Sequence, residues 1–337
     1  MARVHFLNVE DGDCSIIQHE NGDVTMIDVC SAKEPEEELI KGMKTFSDAC
    51  ESLSIPKGNF HQKYHPENPV SYLQDLGVTS IFRYIQTHPD MDHMDGLQYI
   101  AGNFSILNFW DTPNTKKQVF DGNNRYDEND WKCYQKLRKS DSSPKALNYF
   151  DGTSCKYFAE DDNGLKRDDY IQILAPTKKL VDDANKAGDW NDASYVILYH
   201  IQGHKVLFCG DASNKTWQHI LDKHQSDVTN IDVLIAPHHG RKGTLDFSFL
   251  DVTNPKLTLI GNALSKHLAY SQWNNRKLLH LTNNQAGNVM LDFVNGAVRI
   301  YCGNQKFVES FLADKEWDTY KHRDMDYWYF ANLITHK

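Results

Sequence analysis

The strongest constraint on the fold is a series of apolar runs that each end in residues suited to chemistry rather than packing. Ile81-Phe82-Arg83-Tyr84-Ile85 reads as a buried strand, and it leads into Thr87-His88-Pro89-Asp90-Met91-Asp92-His93-Met94-Asp95-Gly96-Leu97. Two imidazoles and three carboxylates lie within the eight residues from His88 to Asp95. Asp95-Gly96-Leu97-Gln98-Tyr99-Ile100-Ala101 then reads as a capped helix start. Strand, polar loop and helix in that order put the loop at a strand end, where open α/β sheets place their sites. In an extended loop, alternation sends the side chains of His88, Asp90 and Asp92 to one side. Asp92 and His93 are adjacent, so they diverge and serve different partners. This suits two metal ions about 3.5–4 Å apart. The alternative is a solvated acidic turn carrying two incidental histidines.

Three later stretches strengthen the metal reading. Val206-Leu207-Phe208-Cys209-Gly210-Asp211 is a strand ending in an aspartate, an oxygen ligand able to bridge two metals. Val233-Leu234-Ile235-Ala236-Pro237-His238-His239-Gly240 is a strand ending in paired histidines. Asn191-Asp192-Ala193-Ser194 precedes the strand Tyr195-Val196-Ile197-Leu198-Tyr199. In this order the motifs resemble the metallo-β-lactamase superfamily. Within it they look most like the branch containing the soluble hydrolase domain of the bacterial competence protein ComEC. That branch carries His-x-Asp-x-Asp-His, Asn-x-x-Ser, a Gly-Asp strand end and Pro-His-His-Gly. The resemblance runs from Val4 to about Cys302 and leaves two unmatched inserts, residues 31–75 and 104–170.

The resemblance implies an α/β fold, the four-layer αβ/βα sandwich, and a hydrolytic centre with two divalent metal ions. By it, His88 and Asp90 hold one ion, Asp92 and His93 hold the second, and Asp211 bridges. One of His238 and His239 completes the second site, with His239 favoured as ligand and His238 as a contact to the substrate. Metallo-β-lactamases proper carry a further histidine for the first ion where this chain has Asn191-Asp192-Ala193-Ser194. That ligand is missing or replaced by Asn191 or water, and Asp90 also stands where β-lactamases carry histidine. Both departures exchange imidazole for oxygen, so manganese competes with zinc at the first position.

The activity implied is that of a dimetal phosphodiesterase or nuclease acting on a nucleotide or short nucleic acid. Asp92 orients the attacking water or takes its proton. His267, in the loop Ser265-Lys266-His267, is the candidate for protonating a leaving oxygen. Arg241, Lys242, Lys266 and Asn191 are candidates for holding an anionic substrate; for Arg241 and Lys242 an ordinary basic loop is the alternative. Two other functions stay open: a metal-binding scaffold in a larger assembly, and a hydrolase of another ester, thioester or lactone. The sequence has no Gly-x-Ser-x-Gly elbow, P-loop or Rossmann glycine pattern to suggest a different chemistry.

The opening residues match the same family with departures. Glu10-Asp11-Gly12-Asp13 differs at two places from its usual Gly-Gln-Gly-Asp, and Asp13 and Asp28 are implied to bond backbone or the histidines of the site. Residues 13–18 and 24–28 flank Asn21-Gly22 as a hairpin, and residues 289–293 and 298–301 do so around Asn295-Gly296. Helices are expected from Glu34-Pro35 and over residues 127–137. From composition, residues 104–170 are variable surface loops, which in this family overhang the site.

Composition sets the remaining bounds. A net charge of −10 argues against a broad basic surface for nucleic acid and disfavours long duplex. No run of about 18 apolar residues occurs, so a membrane span is not expected. The N-terminus enters a strand without the apolar core of a signal peptide, and the seven scattered cysteines show no Cys-x-x-Cys pair. A reducing, cytoplasmic location is expected. Residues 1–303 are expected to form the hydrolase domain and residues 304–337 a C-terminal extension. Its Tyr327-Trp328-Tyr329-Phe330 either packs back on the sandwich or docks on a protein partner, a role open to the inserts as well.

Overall fold

Strands that are apolar at every position need cover on both faces, and this chain supplies it with two sheets and outer helices. The computed structural model describes residues 2–33, 59–122, 125–154, 157, 168–263, 267–313 and 319–334. The first sheet contains β1 (Arg3–Phe6), β2 (Ser15–Gln18), β3 (Val24–Ile27), β4 (Ser80–Ile85), β5 (Ser105–Trp110) and β6 (Lys145–Leu147). It is completed by β13 (Val289–Val294), β14 (Ala297–Cys302) and β15 (Trp328–Ile334), in the order β15-β14-β13-β1-β2-β3-β4-β5-β6. The second sheet is β12 (His280–Thr282), β11 (Leu257–Ile260), β10 (Val233–Ile235), β9 (His204–Phe208), β8 (Val196–Ile201) and β7 (Asp169–Ala175), in that spatial order.

Alternation along each strand divides its side chains between two cores. Ile197, Tyr199, Val206, Phe208, Val233 and Ile235 face the first sheet's Val4, Phe6, Leu291 and Phe293, forming the layer between the sheets. Leu198, Leu207 and Leu234, one residue out of phase, face outward to Trp217, Phe249 and Trp273. On the far side of the first sheet, Met26, Tyr84 and Met290 meet Leu73, Leu97 and Tyr134. Those outer residues belong to helices α1 (Pro69–Asp75), α2 (Leu97–Asn103), α3 (Glu128–Leu137), α4 (Lys178–Ala187), α5 (Asn214–Lys223), α6 (Phe249–Thr253) and α7 (Tyr270–Asn275) or pack beside them. The result is the four-layer αβ/βα sandwich. Pairing is parallel for β3-β4-β5-β6 and for β9-β10-β11-β12, so their carboxyl ends gather along one edge of the sandwich.

Several local expectations hold in detail. The turn between β13 and β14 places Asn295 at φ 52° and Gly296 at φ 75°, the left-handed pair that matches strand twist. Asp127 caps α3 by accepting from the Asn129 N–H. The tail packs back: β15 pairs antiparallel with β14, Phe330 enters the inter-sheet core beside Phe307, and the Tyr327 and Tyr72 hydroxyls lie 2.7 Å apart.

Others are corrected. Residues 88–93 are not extended throughout; Asp90 is, but Met91–His93 form a 3-10 turn, which brings Asp92 and His93 round by rotation rather than alternation. Helix α2 carries no side-chain cap of its own. Its Gly96 and Gln98 N–H groups donate to the carboxylate of Asp130 on α3, both at 2.9 Å. Residues 104–170 are not loop alone, since β5 and β6 extend the first sheet with Ile106, Phe109 and Trp110 buried. The helix expected from Glu34-Pro35 lies outside the described residues. Among the described residues no helix is long and apolar enough to cross a membrane.

The tail's place in the core has a measurable consequence. Phe330→Ala removes a ring that is 1 % exposed and is expected to cost about 3–5 kcal/mol, read as a lowered urea midpoint with unchanged slope. A midpoint within error of wild type would mean that β15 contributes little to the sheet.

Candidate metal centre

Asp211, at the end of β9, is the point on which the strand-end residues converge. Its Oδ1 faces His93 Nε2 at 3.1 Å and His239 Nε2 at 3.7 Å. Its Oδ2 faces His238 Nε2 at 3.5 Å and His88 Nε2 at 3.8 Å. The single carboxylate thus sorts the four imidazoles into two pairs. Asp92 Oδ2 joins the first pair, 3.6 Å from His239 Nε2. Asp90 Oδ2 joins the other, 3.9 Å from His88 Nε2.

Small residues and short bonds hold the convergence in place. Gly210 has φ 49°, and a Cβ there would lie 3.0 Å from that of Thr87 and 3.2 Å from that of Ser194. The Asp211 N–H donates to Ser194 Oγ at 3.2 Å, so the serine of Asn-x-x-Ser fixes the central carboxylate's backbone. After β10 the chain turns through three left-handed residues, His238 at φ 50°, His239 at φ 53° and Gly240 at φ 72°. For two histidines this costs on the order of 1 kcal/mol or more each, and it directs adjacent rings to opposite oxygens of Asp211.

Two of the four imidazoles, His93 and His239, are backed by carboxylates. Asp28 accepts from the Thr87 N–H at 2.7 Å and its hydroxyl at 2.6 Å, and its Oδ2 lies 2.7 Å from His93 Nδ1. Asp13 Oδ1 stands 3.1 Å from His239 Nδ1, and a Cβ on Gly261 would come within 2.8 Å of that oxygen. A proton held at His93 Nδ1 by Asp28 leaves that ring's Nε2 lone pair facing the centre, while Asp13 faces His239 by charge without a hydrogen bond.

Burial makes this assembly a demanding one. His88, His93 and His239 are wholly buried and Asp211 nearly so. Nε2 of each of these three rings and Asp211 Oδ1 are buried without a hydrogen-bond partner among the described residues. Burial alone pulls the His93 imidazole down, but Asp211 and Asp28 outweigh it and hold it well above the usual histidine range. The same contest raises His239 to about 10, with Asp13 and Asp211 prevailing over burial. Asp211 is held well below the carboxylate range because the rings, His93 foremost, outweigh its own burial. Asp92 is lowered too, His239 and His93 prevailing over burial. Half-buried His238 is lowered, burial outweighing Asp211. Protons on buried rings thus balance the buried carboxylates. Divalent cations fit the same donors, since Nε2 lone pairs and carboxylate oxygens converge there and ions release such protons on binding.

The other sequence candidates fall at different distances from this cluster. Asn191 opens a 3-10 turn, and among the described residues its side chain makes no hydrogen bond to the converging rings or acids. Arg241 is half-buried with its Nε unpartnered, and its charge acts on His238. Lys242 and His267 are exposed, and the Lys242 N–H donates to the His267 carbonyl. Lys266 lies outside the described residues.

Sequence reading missed Lys116. Its Nζ is 2.6 Å from Asp90 Oδ1 and 5.4 Å from the centroid of the Trp190 ring, with only 14 % of the side chain exposed. Arg125 reaches Asp11 at 3.1 Å and bonds the Tyr126 hydroxyl, on the side where Asp92 acts on Tyr126. These residues come from a stretch whose composition resembles any polar loop, so no local signal separates them from their neighbours.

No family model and no curated protein matches the sequence. Solved structures similar to it include a mutant of the β-hydroxylase CmlA, at 10% identity and TM-score 0.45, over 87% of this chain and 54% of that one. This chain therefore spans about half the length of that protein. A diphosphatase from the PhnP family is 10% identical at TM-score 0.44, over 87% of this chain and 98% of its own. Unliganded yeast PDE1 is 12% identical at TM-score 0.43, over 87% of this chain and 100% of its own. Likeness at this level says nothing of substrate.

The bond from behind His93 can be tested by itself. Asp28→Asn is expected to weaken divalent-metal binding by about 10–100-fold, measured by competition with a chromophoric chelator. Affinity equal to wild type would show that Asp28 serves Thr87 and not the ring.

Proposed function

We propose that the protein is a metal-dependent hydrolase of the metallo-β-lactamase superfamily, of the ComEC-like kind, that cleaves phosphodiesters in a nucleotide or short nucleic acid. The observation that carries the reading is the division of Asp211's two oxygens between two sets of donors. Asp92, His93 and His239 would hold one ion with Asp211 Oδ1. His88, Asp90 and His238 would hold the other with Oδ2. His238 then supplies the imidazole that the Asn191 segment lacks, and serves as ligand rather than as substrate contact. Each set mixes imidazole with carboxylate, a composition open to zinc and to manganese. Such a pair of ions supplies an activated water at neutral pH and charge for the entering and leaving oxygens of a phosphoester.

The chain's own groups do the rest. Asp92, with 19 % of its side chain exposed, is the group that would take a proton from an attacking water. Asp28 and Asp13 keep the rings behind the centre in one orientation. Lys116 pairs with Asp90 at the rim, and its ammonium is placed to receive a phosphate oxygen when Asp90 turns to a metal. Arg241, beside His238, is a second cation for the same anion. Lys242 follows Arg241 in that basic loop, Lys266 is a further candidate for the same anion by sequence, and His267 is the candidate proton donor to the leaving oxygen. The surplus of acids over bases limits the substrate to a small or short one.

The assay pairs a chromogenic phosphodiester, short single strands, duplex and a chromogenic cephalosporin with manganese, zinc, magnesium or chelator. Phosphodiester cleavage stimulated by manganese and abolished by chelator is expected, with Asp211→Ala inactive and depleted of both ions. Lys116→Met is expected to raise KM about tenfold with metal content unchanged. Cephalosporin turnover without phosphodiester cleavage would overturn the assignment. Silence on every substrate with both ions bound would favour a metal-binding scaffold, and turnover of another ester, thioester or lactone would redirect the substrate class.

A further inference from the structure

A second convergence of histidine and carboxylate lies on the outer face of the second sheet, apart from the strand-end residues. Helix α5 carries His219, and its C-cap residue His224 leaves helical geometry at φ −126° and ψ 22°. That departure brings two rings five positions apart to one place, with centroids 5.9 Å from each other. Both address Asp151, which follows β6: His219 Nε2 lies 2.9 Å from Oδ2, and His224 Nε2 lies 2.8 Å from Oδ1. Asp151 is fixed by its own N–H, which donates to the Pro176 carbonyl at 2.8 Å.

The ring of His224 carries the argument further. Its other nitrogen, Nδ1, lies 3.0 Å from Asp227 Oδ2, an oxygen that also accepts from Gln172 Nε2 at 3.0 Å. Both ring nitrogens therefore face carboxylate oxygens, and a neutral imidazole has one proton for the two. A cation at Nε2, with the proton on Nδ1 shared with Asp227, satisfies both contacts. Carboxylate behind, imidazole, metal in front is the arrangement that fixes histidine ligands generally.

We propose that His219 Nε2, His224 Nε2 and Asp151 bind a zinc-class divalent ion, oriented by Asp227. One ligand atom from each residue lies within 4.8 Å of the others. Ligands at about 2.0–2.2 Å from a tetrahedral zinc stand about 3.3–3.6 Å apart, so small side-chain movements admit the ion. Two imidazoles and one carboxylate suit zinc better than magnesium or calcium. Water would take the fourth position, since the three side chains remain 16–18 % exposed. The ion ties the loop after β6 to α5, and so ties the end of residues 104–170 to the second sheet. This site shares no residue with the strand-end centre and does not depend on the activity proposed for it.

Zinc content of the full chain after dialysis against buffered zinc tests the site, with Asp211→Ala as the background that cripples the strand-end centre. Asp211→Ala is expected to retain one zinc equivalent more than Asp211→Ala combined with His219→Gln and His224→Gln. Zinc is expected to raise the Tm of the first protein by roughly 5 °C and leave the second unmoved. Asp151→Asn, which keeps the shape and removes the anionic ligand, is expected to lose the same equivalent if the histidine variants do not fold. Equal zinc content with and without these ligands, or a Tm that zinc does not move in Asp211→Ala, would overturn the proposal.

Discussion

A carboxylate taken almost wholly out of water, with one oxygen lacking any hydrogen-bond donor among the described residues, sets the terms for the strand ends of this protein. An isolated buried charge costs several kcal/mol or more, so Asp211 has to be answered by positive charge from close by. Four imidazoles do so, drawn from the loops after β4 and β10. The requirement explains features that stability alone would disfavour. Two consecutive histidines are held left-handed, a side chain at Gly210 would crowd Thr87 and Ser194, and Asp28 is buried against a ring and a threonine. Each deviation serves to bring a nitrogen to one or the other oxygen of a single carboxylate.

The sequence made the scaffold readable where burial is two-sided. Val206-Leu207-Phe208 and Val233-Leu234-Ile235 are apolar at every position because one face meets the opposite sheet and the other meets helices. The ligand-type residues were readable for a related reason, since polar clusters at the ends of such runs have no packing purpose. The division of His238 and His239 between two oxygens was not readable. It depends on positive φ at both residues, and nothing in Pro-His-His-Gly announces that beyond its glycine. The cap of α2 was hidden likewise, because the acid that supplies it is Asp130, 34 positions from Gly96, while Asp95 sits where a local cap would be read.

Lys116 marks a different limit. A lysine in a polar stretch is usually solvated, and only the fold shows this one set over Trp190 and against Asp90. β5 is hidden in the sequence by its own pattern and its neighbours. Ser105-Ile106-Leu107-Asn108-Phe109-Trp110 alternates imperfectly, with Leu107 exposed, and the surrounding polar residues masked a six-residue strand.

Lys116, Asp130 and β5 fall in one region and together change what that region is. Residues 104–170 add β5 and β6 to the first sheet, so they are built into the sandwich rather than laid over it. From that anchorage they reach three ways: Lys116 to the rim of the strand-end centre, Asp130 to the first turn of α2, and Asp151 to two histidines at the end of α5. Helix α2 begins four residues after His93, so the Asp130 carboxylate steadies the loop that carries His88, Asp90, Asp92 and His93 by fixing its exit. A segment with these contacts can adjust the centre in two ways that differ in kind. Lys116 acts by charge on the single carboxylate of Asp90, 2.6 Å away. Asp130 acts by position on the whole loop, and changes there shift every imidazole and carboxylate that the loop carries.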